Sequence, residues 1–354
     1  MLAQSAARGG YASVALDLFA DQDTRKLAND CYCVADAQGA FDEKRLFSAL
    51  SGIPNRIGLV YGSGLDGRPD LLGKLIFGRR LLGNSIETLR WLKTPRRFFA
   101  LLKELEIPHP ATRFSPPPSS EGWLVKPSCG EGGKRVRFNA KNLAVAETDY
   151  FQRYVPRDAG SVLFLADSQQ ARIIGFNSQW NASHDPDQPF LFGGAVNRAS
   201  LNPDQEATLQ TAIAKLTRAV GLVGLNSLDF IRDESEIRVL EVNPRPSATM
   251  ALYDADYPRG LVHEHVLACQ GRLPPSVCKE GPVRAFRIAY ATRPILIPPD
   301  MNWPEGSADL PAAGSEIAVG YPICSVQVEG METSAVDAAL QTRITELLAR
   351  LGPN

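Results

Sequence analysis

Two short segments near residue 235 constrain the fold more than any other feature of this chain. Residues 227–232 and 238–242 alternate apolar and polar side chains, and an acidic turn separates them. This alternation is typical of antiparallel strands that bury one face. Asp229 lies on the first strand, and Glu241 and Asn243 lie two residues apart at the end of the second. Because strand residues two apart share a face, the pattern predicts a β-hairpin on which these three side chains project together.

Oxygen-bearing side chains of this kind indicate a magnesium site. Mg²⁺ prefers carboxylate and amide oxygens and is held by few protein ligands together with substrate phosphates. We therefore predict that Asp229, Glu241 and Asn243 bind Mg²⁺, with Mn²⁺ as the alternative ion. The competing interpretation is an exposed hairpin face with ordinary charges. Pro244 and Pro246 favour the metal site, because they stiffen the chain where it leaves the strand.

Two cationic side chains are further candidates for the site. Arg245 directly follows the hairpin, and its guanidinium suits a transferring phosphoryl group or a substrate carboxylate. Lys93 precedes a Thr-Pro pair and is a weaker candidate for a phosphate contact. Each of them has a structural alternative: an ion pair for Arg245 and a solvated helix end for Lys93.

A glycine-rich loop follows an apolar segment that ends at Lys126. Glycines let backbone N–H groups approach phosphate oxygens, and lysines supply positive charge to them. The loop offers Gly130, Gly132, Gly133 and Lys134. It is not a P-loop, because Ser128 and Arg135 stand where that motif needs glycine and a hydroxyl residue. A plain glycine hairpin remains the alternative.

A second glycine motif, G-x-G-x-x-G at residues 62–67, follows a predicted strand at 56–61 and precedes a helix that begins at Pro69. This context raises the alternative of a nicotinamide-dependent oxidoreductase. A dinucleotide site also needs an acidic residue at a strand end about 20 residues later. Glu87 stands near that position but at the start of a helix, so we favour a loop that lines the substrate side of a cleft.

Composition excludes several classes of protein. The chain has 354 residues, of which 44% are hydrophobic and 22% charged, which is ordinary for a globular protein with more than one lobe. Its formal net charge of −1 gives no basic surface for nucleic acid. It has no apolar run long enough for a membrane span and no signal peptide, which predicts a cytoplasmic protein without a membrane partner. Its cysteines and histidines follow no disulfide or zinc spacing.

In their order along the chain, these segments resemble the ATP-grasp superfamily of carboxylate-amine ligases. The resemblance rests on residues 92–95 with 107–110, 123–127 with the glycine loop, 151–155, and 228–230 with 240–245. It implies an α/β and α+β ATP-grasp fold in which two α+β lobes clamp ATP. The implied parts are an N-terminal parallel α/β domain at 1–88, a small lobe at 89–155, a large catalytic lobe at 156–270 and a short β-rich C-terminal extension with a terminal helix at 271–354.

The resemblance also implies roles for single residues. Lys93 and Lys126 would contact the ATP phosphates, with Lys126 and Arg245 taking part in catalysis, and the glycine loop would close over the phosphates. Gln152 and Val155 would border the adenine, Val155 through its backbone. Gln152 stands where the family often has glutamate. The acid that commonly binds the ribose is not evident, and Asp158 is its weak substitute.

The implied activity is ATP-dependent ligation of a small-molecule carboxylate to an amine through an acyl phosphate, with release of ADP and phosphate. Residues 62–64 and 243–247 are similar to the tyramine-glutamate ligase group of methanofuran biosynthesis and its methylotroph relatives, which implies glutamate ligation in one-carbon cofactor biosynthesis. An ATP-grasp kinase or carboxylase and a non-catalytic nucleotide-binding regulator remain alternatives. Enzymes of this kind are commonly symmetric, which favours a homodimer.

Overall fold

A computed structural model describes residues 1–36, 39–141, 143–182, 188–232, 236–275 and 281–352. Its α-helices are α1 (Leu2–Arg8), α2 (Gln22–Leu27), α3 (Glu43–Ser51), α4 (Pro69–Leu75), α5 (Ile86–Leu92), α6 (Pro95–Glu104), α7 (Pro203–Val220), α8 (Gly260–Ala268) and α9 (Thr333–Arg350). Two 3₁₀ helices lie at Ala248–Leu252 and Asp254–Asp256.

The β-strands are β1 (Val14–Asp17), β2 (Asp30–Cys33), β3 (Thr112–Arg113), β4 (Trp123–Lys126), β5 (Arg137–Phe138), β6 (Tyr150–Arg153), β7 (Asp158–Asp167), β8 (Ala171–Asn181), β9 (Phe192–Val196), β10 (Val223–Arg232), β11 (Ile237–Asn243), β12 (Val283–Tyr290), β13 (Ile295–Leu296), β14 (Ser307–Ala308), β15 (Glu316–Ile317) and β16 (Pro322–Gly330).

The largest sheet has eight antiparallel strands in the order β11-β10-β7-β8-β9-β12-β16-β14. Successive side chains of β7 point to opposite faces of the sheet, so they pack in two different cores. Val162 and Phe164 pack in the core that also contains residues of α6 and α7, whereas Leu163 and Leu165 pack on the opposite face with residues of α1 and α8. Helices therefore pack on both faces of the sheet.

That hairpin forms as predicted, from β10 and β11. The acidic turn between its strands falls in part on residues 233–235, which lie outside the described residues. A smaller sheet of four strands, β3-β6-β4-β5, carries Lys126 and the glycine loop. The chain that leaves the glycine loop forms only a short strand, because Arg135 has a left-handed backbone (φ 62°) and only residues from Arg137 pair with β4.

The N-terminal region contains a parallel pair, β1 and β2, and a core formed with α3, α4 and α5. The strand predicted at 56–61 is wrong: only Leu59 forms a parallel bridge, with Leu81, so no extended ladder exists there. The first helix, α1, does not pack in that core. Its Ser5 hydroxyl bonds to the carboxylate of Asp254, and Ser5 Oγ also accepts a hydrogen bond of 2.8 Å from the Val262 N–H. The chain start is thus attached to the large sheet.

The C-terminal residues continue the large sheet. Strand β12 pairs with both β9 and β16, and α9 packs over them in a core that includes Val326 and Leu340. Within the described part of the chain, no helix combines the length and the apolar character that a membrane crossing requires.

Candidate active site

The β10–β11 hairpin places three polar side chains on one surface of the large lobe. Asp229 is paired with Glu241, and Ser227 with Asn243, and the register shifts between Asp229 and Phe230. The amide Nδ2 of Asn243 donates a hydrogen bond of 3.1 Å to Asp229 Oδ2. Glu241 is open to solvent, whereas Asn243 is buried. The three residues predicted from the sequence therefore lie together.

The electrostatics of this surface suit a cation. Desolvation and the adjacent Glu241 carboxylate, which also shares a hydrogen bond with Asp229, raise the pKa of Asp229 above its ordinary range. A desolvated carboxylate beside a second carboxylate is stabilised in its charged form by a compensating positive charge. A divalent cation provides that charge. No cluster of three or more His, Cys, Asp or Glu residues with metal-binding geometry occurs in the described ranges, so a cation here would take two carboxylates, an amide oxygen and substrate or water oxygens. This donor set fits Mg²⁺.

The orientation of Asn243 adds a detail that the sequence did not indicate. Its Oδ1 accepts hydrogen bonds from Lys93 Nζ at 3.3 Å and from Arg245 Nη2 at 3.5 Å, while its nitrogen faces Asp229. Asn243 would have to exchange these partners to ligate an ion through its oxygen. Its role as a metal ligand stays a prediction.

A buried carboxylate from the N-terminal region joins the two cations. Asp66 Oδ2 lies 3.2 Å from Lys93 Nζ and 3.3 Å from Arg245 Nε. Burial alone would raise the pKa of Asp66, but the charges of Lys93 and then Arg245 outweigh it and hold that pKa below its ordinary value. Sequence reasoning missed Asp66, although it lies inside the glycine motif at 62–67 that was singled out.

Lys126, at the end of β4, lies near the carboxylates of Glu241 and Asp229. Its Nζ donates a hydrogen bond of 2.8 Å to Gln152 Oε1 on the neighbouring β6, and Gln152 Nε2 donates one of 3.2 Å to Thr112 Oγ1. Desolvation lowers the pKa of Lys126, although the carboxylates of Glu241 and Asp229 act in the opposite direction. The structure thus brings Lys93, Lys126 and Arg245 around the carboxylate pair.

The glycine loop lies against both the large lobe and the N-terminal region. The Phe192 N–H donates a hydrogen bond of 2.9 Å to the Gly132 carbonyl oxygen. Ser63 Oγ donates one of 3.1 Å to Glu131 Oε2. Gly133 has a left-handed backbone (φ 73°), and a Cβ there would overlap the carbonyl oxygen of Phe190. Gly130 and Lys134 are exposed, and their phosphate contacts stay predictions.

A cavity of about 480 Å³, here called the linker cavity, lies beside the segment that joins the two lobes. Its lining comprises His109, Pro110, Ala111, Arg153, Tyr154, Val155, Pro156, Arg157 and Arg238. Val155 therefore lines a space large enough for a nucleobase. Asp158 does not line it, and its Oδ2 forms an ion pair of 2.6 Å with Arg232 Nη2. The predicted contact between Asp158 and the ribose stays a prediction.

Lys93, Lys126 and Arg245 lie around the carboxylate pair of the β10–β11 hairpin, and this arrangement of charges suits nucleotide phosphates. Residues 96–249 match the family model of the ATP-grasp domain. The predicted ATP-grasp fold is confirmed by both this match and the solved structures that the chain resembles.

Three of those structures are carboxylases or domains of carboxylases. Biotin carboxylase from Campylobacter jejuni, in a β,γ-ATP complex, is 14% identical with a TM-score of 0.73 over 99% of this chain and 92% of that one. The biotin carboxylase domain dimer of Hydrogenobacter thermophilus 2-oxoglutarate carboxylase, described with MgADP, ADP and bicarbonate, is 14% identical with a TM-score of 0.75 over 97% and 86%. Rhizobium etli pyruvate carboxylase is 15% identical with a TM-score of 0.74 over 99% and 38%.

The glycine motif at 62–67 is poorly suited to a dinucleotide. The Glu131 carboxylate lies against it through the Ser63 hydrogen bond, and Asp66 inside it is charged and buried. A pyrophosphate at this loop would meet the negative charge of Glu131, and Lys93 and Arg245 are already paired with Asp66. The geometry therefore disfavours the nicotinamide alternative.

Proposed function

We propose that this protein is an ATP-dependent ligase that joins a small-molecule carboxylate to an amine and releases ADP and phosphate. The observation that carries the proposal is the convergence of Lys93, Lys126 and Arg245 on the Asp229–Glu241 pair at one cleft. Phosphoryl transfer needs positioning and charge neutralisation more than covalent help from a side chain. A cleft of this charge distribution supplies both.

In the proposed reaction a carboxylate oxygen of the substrate attacks the γ-phosphorus of ATP, and the bond between that phosphorus and the β,γ-bridging oxygen breaks. ADP leaves and an acyl phosphate remains. The amine then attacks the acyl carbon, phosphate departs, and the amine loses a proton to solvent as the amide forms. Asp229, Glu241 and Asn243 would hold Mg²⁺, which would neutralise charge on the ATP phosphates.

The protein's own residues divide the remaining work. Lys126 binds phosphate oxygens of ATP, and Lys93 and Arg245 bind the transferring group. The glycine loop covers the phosphates and keeps water from the acyl phosphate. Gly133 favours this cover, because its lack of a side chain permits the close approach to Phe190. Val155 borders the adenine in the linker cavity.

Two finer forms of the proposal differ in the acid. Residues 62–64 and 243–247 support glutamate ligation of the tyramine-glutamate ligase type, within one-carbon cofactor biosynthesis. The matched carboxylase structures, one of them described with bicarbonate, support bicarbonate as the acid and hence a carboxylase. Analysis of the products formed from each acid with Mg-ATP distinguishes the enzymes. An amide indicates a ligase, a carboxylated product indicates a carboxylase, and a stable phosphorylated product indicates a kinase.

The first experiment is titration of the purified protein with Mg-ATP, with ATP plus chelator and with NADPH, followed by thermal unfolding. Ligand at 100 times its Kd adds about 2.7 kcal/mol to native stability, which raises the unfolding midpoint visibly. We expect a magnesium-dependent rise with ATP and none with NADPH. A rise with NADPH alone would contradict the proposal.

Glu241→Gln tests the metal assignment, with Glu104→Gln on the exposed face of α6 as its control. We expect E241Q to bind ATP without turning it over to ADP and E104Q to match the wild type. Nearly normal ADP release by E241Q would remove the magnesium site from the proposal. Mg-ATP binding without turnover in the wild type, for every acid and amine supplied, would indicate a nucleotide-binding regulator.

We also propose that the protein is a homodimer, because one matched structure is described as a biotin carboxylase domain dimer. Light scattering after size-exclusion chromatography measures the mass directly, and a mass near the 38.5 kDa of one chain would contradict a dimer.

A further inference from the structure

The loop at residues 62–67 has no part in the proposed reaction so far, yet it contains one of the most deeply buried charges of the chain. Asp66 is 2% exposed and immediately precedes α4. One of its oxygens, Oδ2, lies within ion-pair distance of both Lys93 and Arg245. A buried carboxylate is costly unless cations are paired with it, so this arrangement fixes three charged side chains relative to one another.

The same two cations meet again at Asn243. Lys93 Nζ and Arg245 Nη2 both donate to Asn243 Oδ1, at 3.3 and 3.5 Å. Two positive charges within reach of one neutral oxygen repel each other strongly in a low-dielectric site. Asp66 is the anion on their other side, and it offsets that repulsion.

Buried hydrogen bonds join the N-terminal region to the segment that contains Arg245. Tyr61, 2% exposed, donates from its hydroxyl to the Pro244 carbonyl oxygen at 2.7 Å, and Asn84 Nδ2 donates to that oxygen at 2.9 Å. Pro244 lies between Asn243 and Arg245. The N-terminal region is therefore hydrogen-bonded to the segment that directly follows β11 and contains Arg245.

We propose that Asp66 is a positioning residue for phosphoryl transfer: it holds Lys93 and Arg245 where both meet the transferring group, although it does not touch that group. This inference rests on the proposed function and deepens it. It assigns the N-terminal region a defined part in ATP chemistry, namely the counter-ion for the two cations. ATP phosphates would compete with Asp66 for these cations, so Asp66 serves the reaction more than it serves nucleotide binding.

Asp66→Asn tests this directly, because asparagine keeps the shape and removes the charge. We expect kcat for ADP release to fall about 100-fold, the loss that displacement of a catalytic group by about 1 Å produces, while KM for Mg-ATP stays within threefold of the wild type or decreases. The matched control is Asp70→Asn, four residues after Asp66 in the chain. It weakens the exposed 2.8 Å ion pair with Arg90 and should leave both constants within twofold of the wild type.

A crystal structure of D66N gives a readout that does not depend on activity. We expect Lys93 or Arg245 to move beyond hydrogen-bond distance of Asn243 Oδ1. If both stay within 3.5 Å in folded D66N, the inference is overturned even if the wild type proves to be a ligase. Conversely, if one moves but the wild type releases no ADP with any acid, the positioning stands and the proposed function fails.

Asp66→Glu covers the case in which D66N does not fold. It keeps the charge but lengthens the side chain by one methylene, which must displace at least one of the two cations. We expect a severalfold lower kcat with KM for Mg-ATP within threefold of the wild type. A wild-type kcat in D66E, or an equal loss of kcat and ATP affinity, would overturn the positioning role.

Discussion

The ammonium group of Lys126 lies 2.8 Å from the amide oxygen of Gln152, so this lysine of the cleft has a neutral side chain as its partner. Desolvation lowers the pKa of Lys126, and the charges of Glu241 and Asp229 offset that only in part. The lysine is oriented by Gln152 but keeps its charge available for a phosphate.

Gln152→Leu should therefore weaken Mg-ATP binding. The variant removes an acceptor from a buried ammonium, and hydrogen bonds to charged groups contribute about 1.5–3 kcal/mol, so we expect affinity to fall by about tenfold or more. Calorimetric titration with Mg-ATP measures it. Gln341→Leu on the exposed face of α9 is the control, and equal affinities in the two variants would show that Gln152 does not orient Lys126.

Two neighbouring glycines allow a controlled test of loop closure. Gly132 and Gly133 both have left-handed backbones, but a Cβ at Gly132 would lie 3.8 Å from Phe192 Cβ, an ordinary contact, whereas one at Gly133 would overlap the Phe190 carbonyl oxygen. Both alanine variants carry the backbone cost of about 1–2 kcal/mol. Only Gly133→Ala must move the loop away from the large lobe.

We expect G133A to lose at least about tenfold more kcat than G132A, because an open loop admits water to the acyl phosphate and mispositions the phosphates. Proteolysis within residues 127–134 should also be faster in G133A. If the two variants have the same kcat and the same cleavage rate, contact between the loop and Phe190 has no part in catalysis.

Local signals determine several elements of the fold. Helix α7 spans Pro203–Val220, because Asn202 and Gln205 form a capping box at its start and Gly221 takes a left-handed backbone at its end. Ser85 caps α5 through a hydrogen bond from the Thr88 N–H. The β10–β11 hairpin was predictable because alternation fixes which side chains share a face.

What the sequence did not reveal depends on contacts between distant segments. The counter-ion role of Asp66 needs Lys93 and Arg245 from two other parts of the chain. The C-terminal strands extend the large sheet through the pairing of β12 with β9, and no local pattern encodes that choice. The prediction of a strand at 56–61 was wrong because it used only the local apolar pattern. In the structure this segment forms a single bridge, between Leu59 and Leu81.

Asn84 tests how firmly the N-terminal region is attached to the large lobe. It is fully buried and forms three side-chain hydrogen bonds: Nδ2 donates to Asn226 Oδ1 and to the Pro244 carbonyl oxygen, and Oδ1 accepts from the Val223 N–H. Asn84→Ala removes the partner of Asn226 Oδ1 and of the Val223 N–H, at about 1–3 kcal/mol for each buried group, whereas the Pro244 carbonyl oxygen keeps the Tyr61 hydroxyl. We expect the unfolding free energy to fall by more than about 2 kcal/mol.

Urea unfolding of N84A beside Asn302→Ala, an exposed asparagine in the C-terminal region, measures this difference. N302A should remain within about 0.5 kcal/mol of the wild type. A midpoint for N84A equal to that of N302A would mean that water replaces the lost hydrogen bonds.

His265 should make stability depend on pH. It is 1% exposed, its Nδ1 accepts from the Leu225 N–H at 2.8 Å, and its Nε2 donates to the Leu82 carbonyl oxygen at 3.0 Å, which fixes the neutral ring. Burial lowers the pKa of His265 from 6.5 to about 4. The neighbouring Cys269 thiol stays neutral, because burial raises its pKa to about 12.

Between pH 6.5 and 4 the unfolded chain therefore binds a proton at this histidine that the folded chain does not. The contribution of His265 to stability is fully present above pH 6.5 and is lost as the pH falls towards 4, by about 3 kcal/mol in total. Urea midpoints at pH 7.5 and 5.0 measure the loss. His265→Gln should be less stable at pH 7.5 yet lose less between the two pH values than the wild type does. An identical loss in both proteins would show that other groups account for the acid sensitivity.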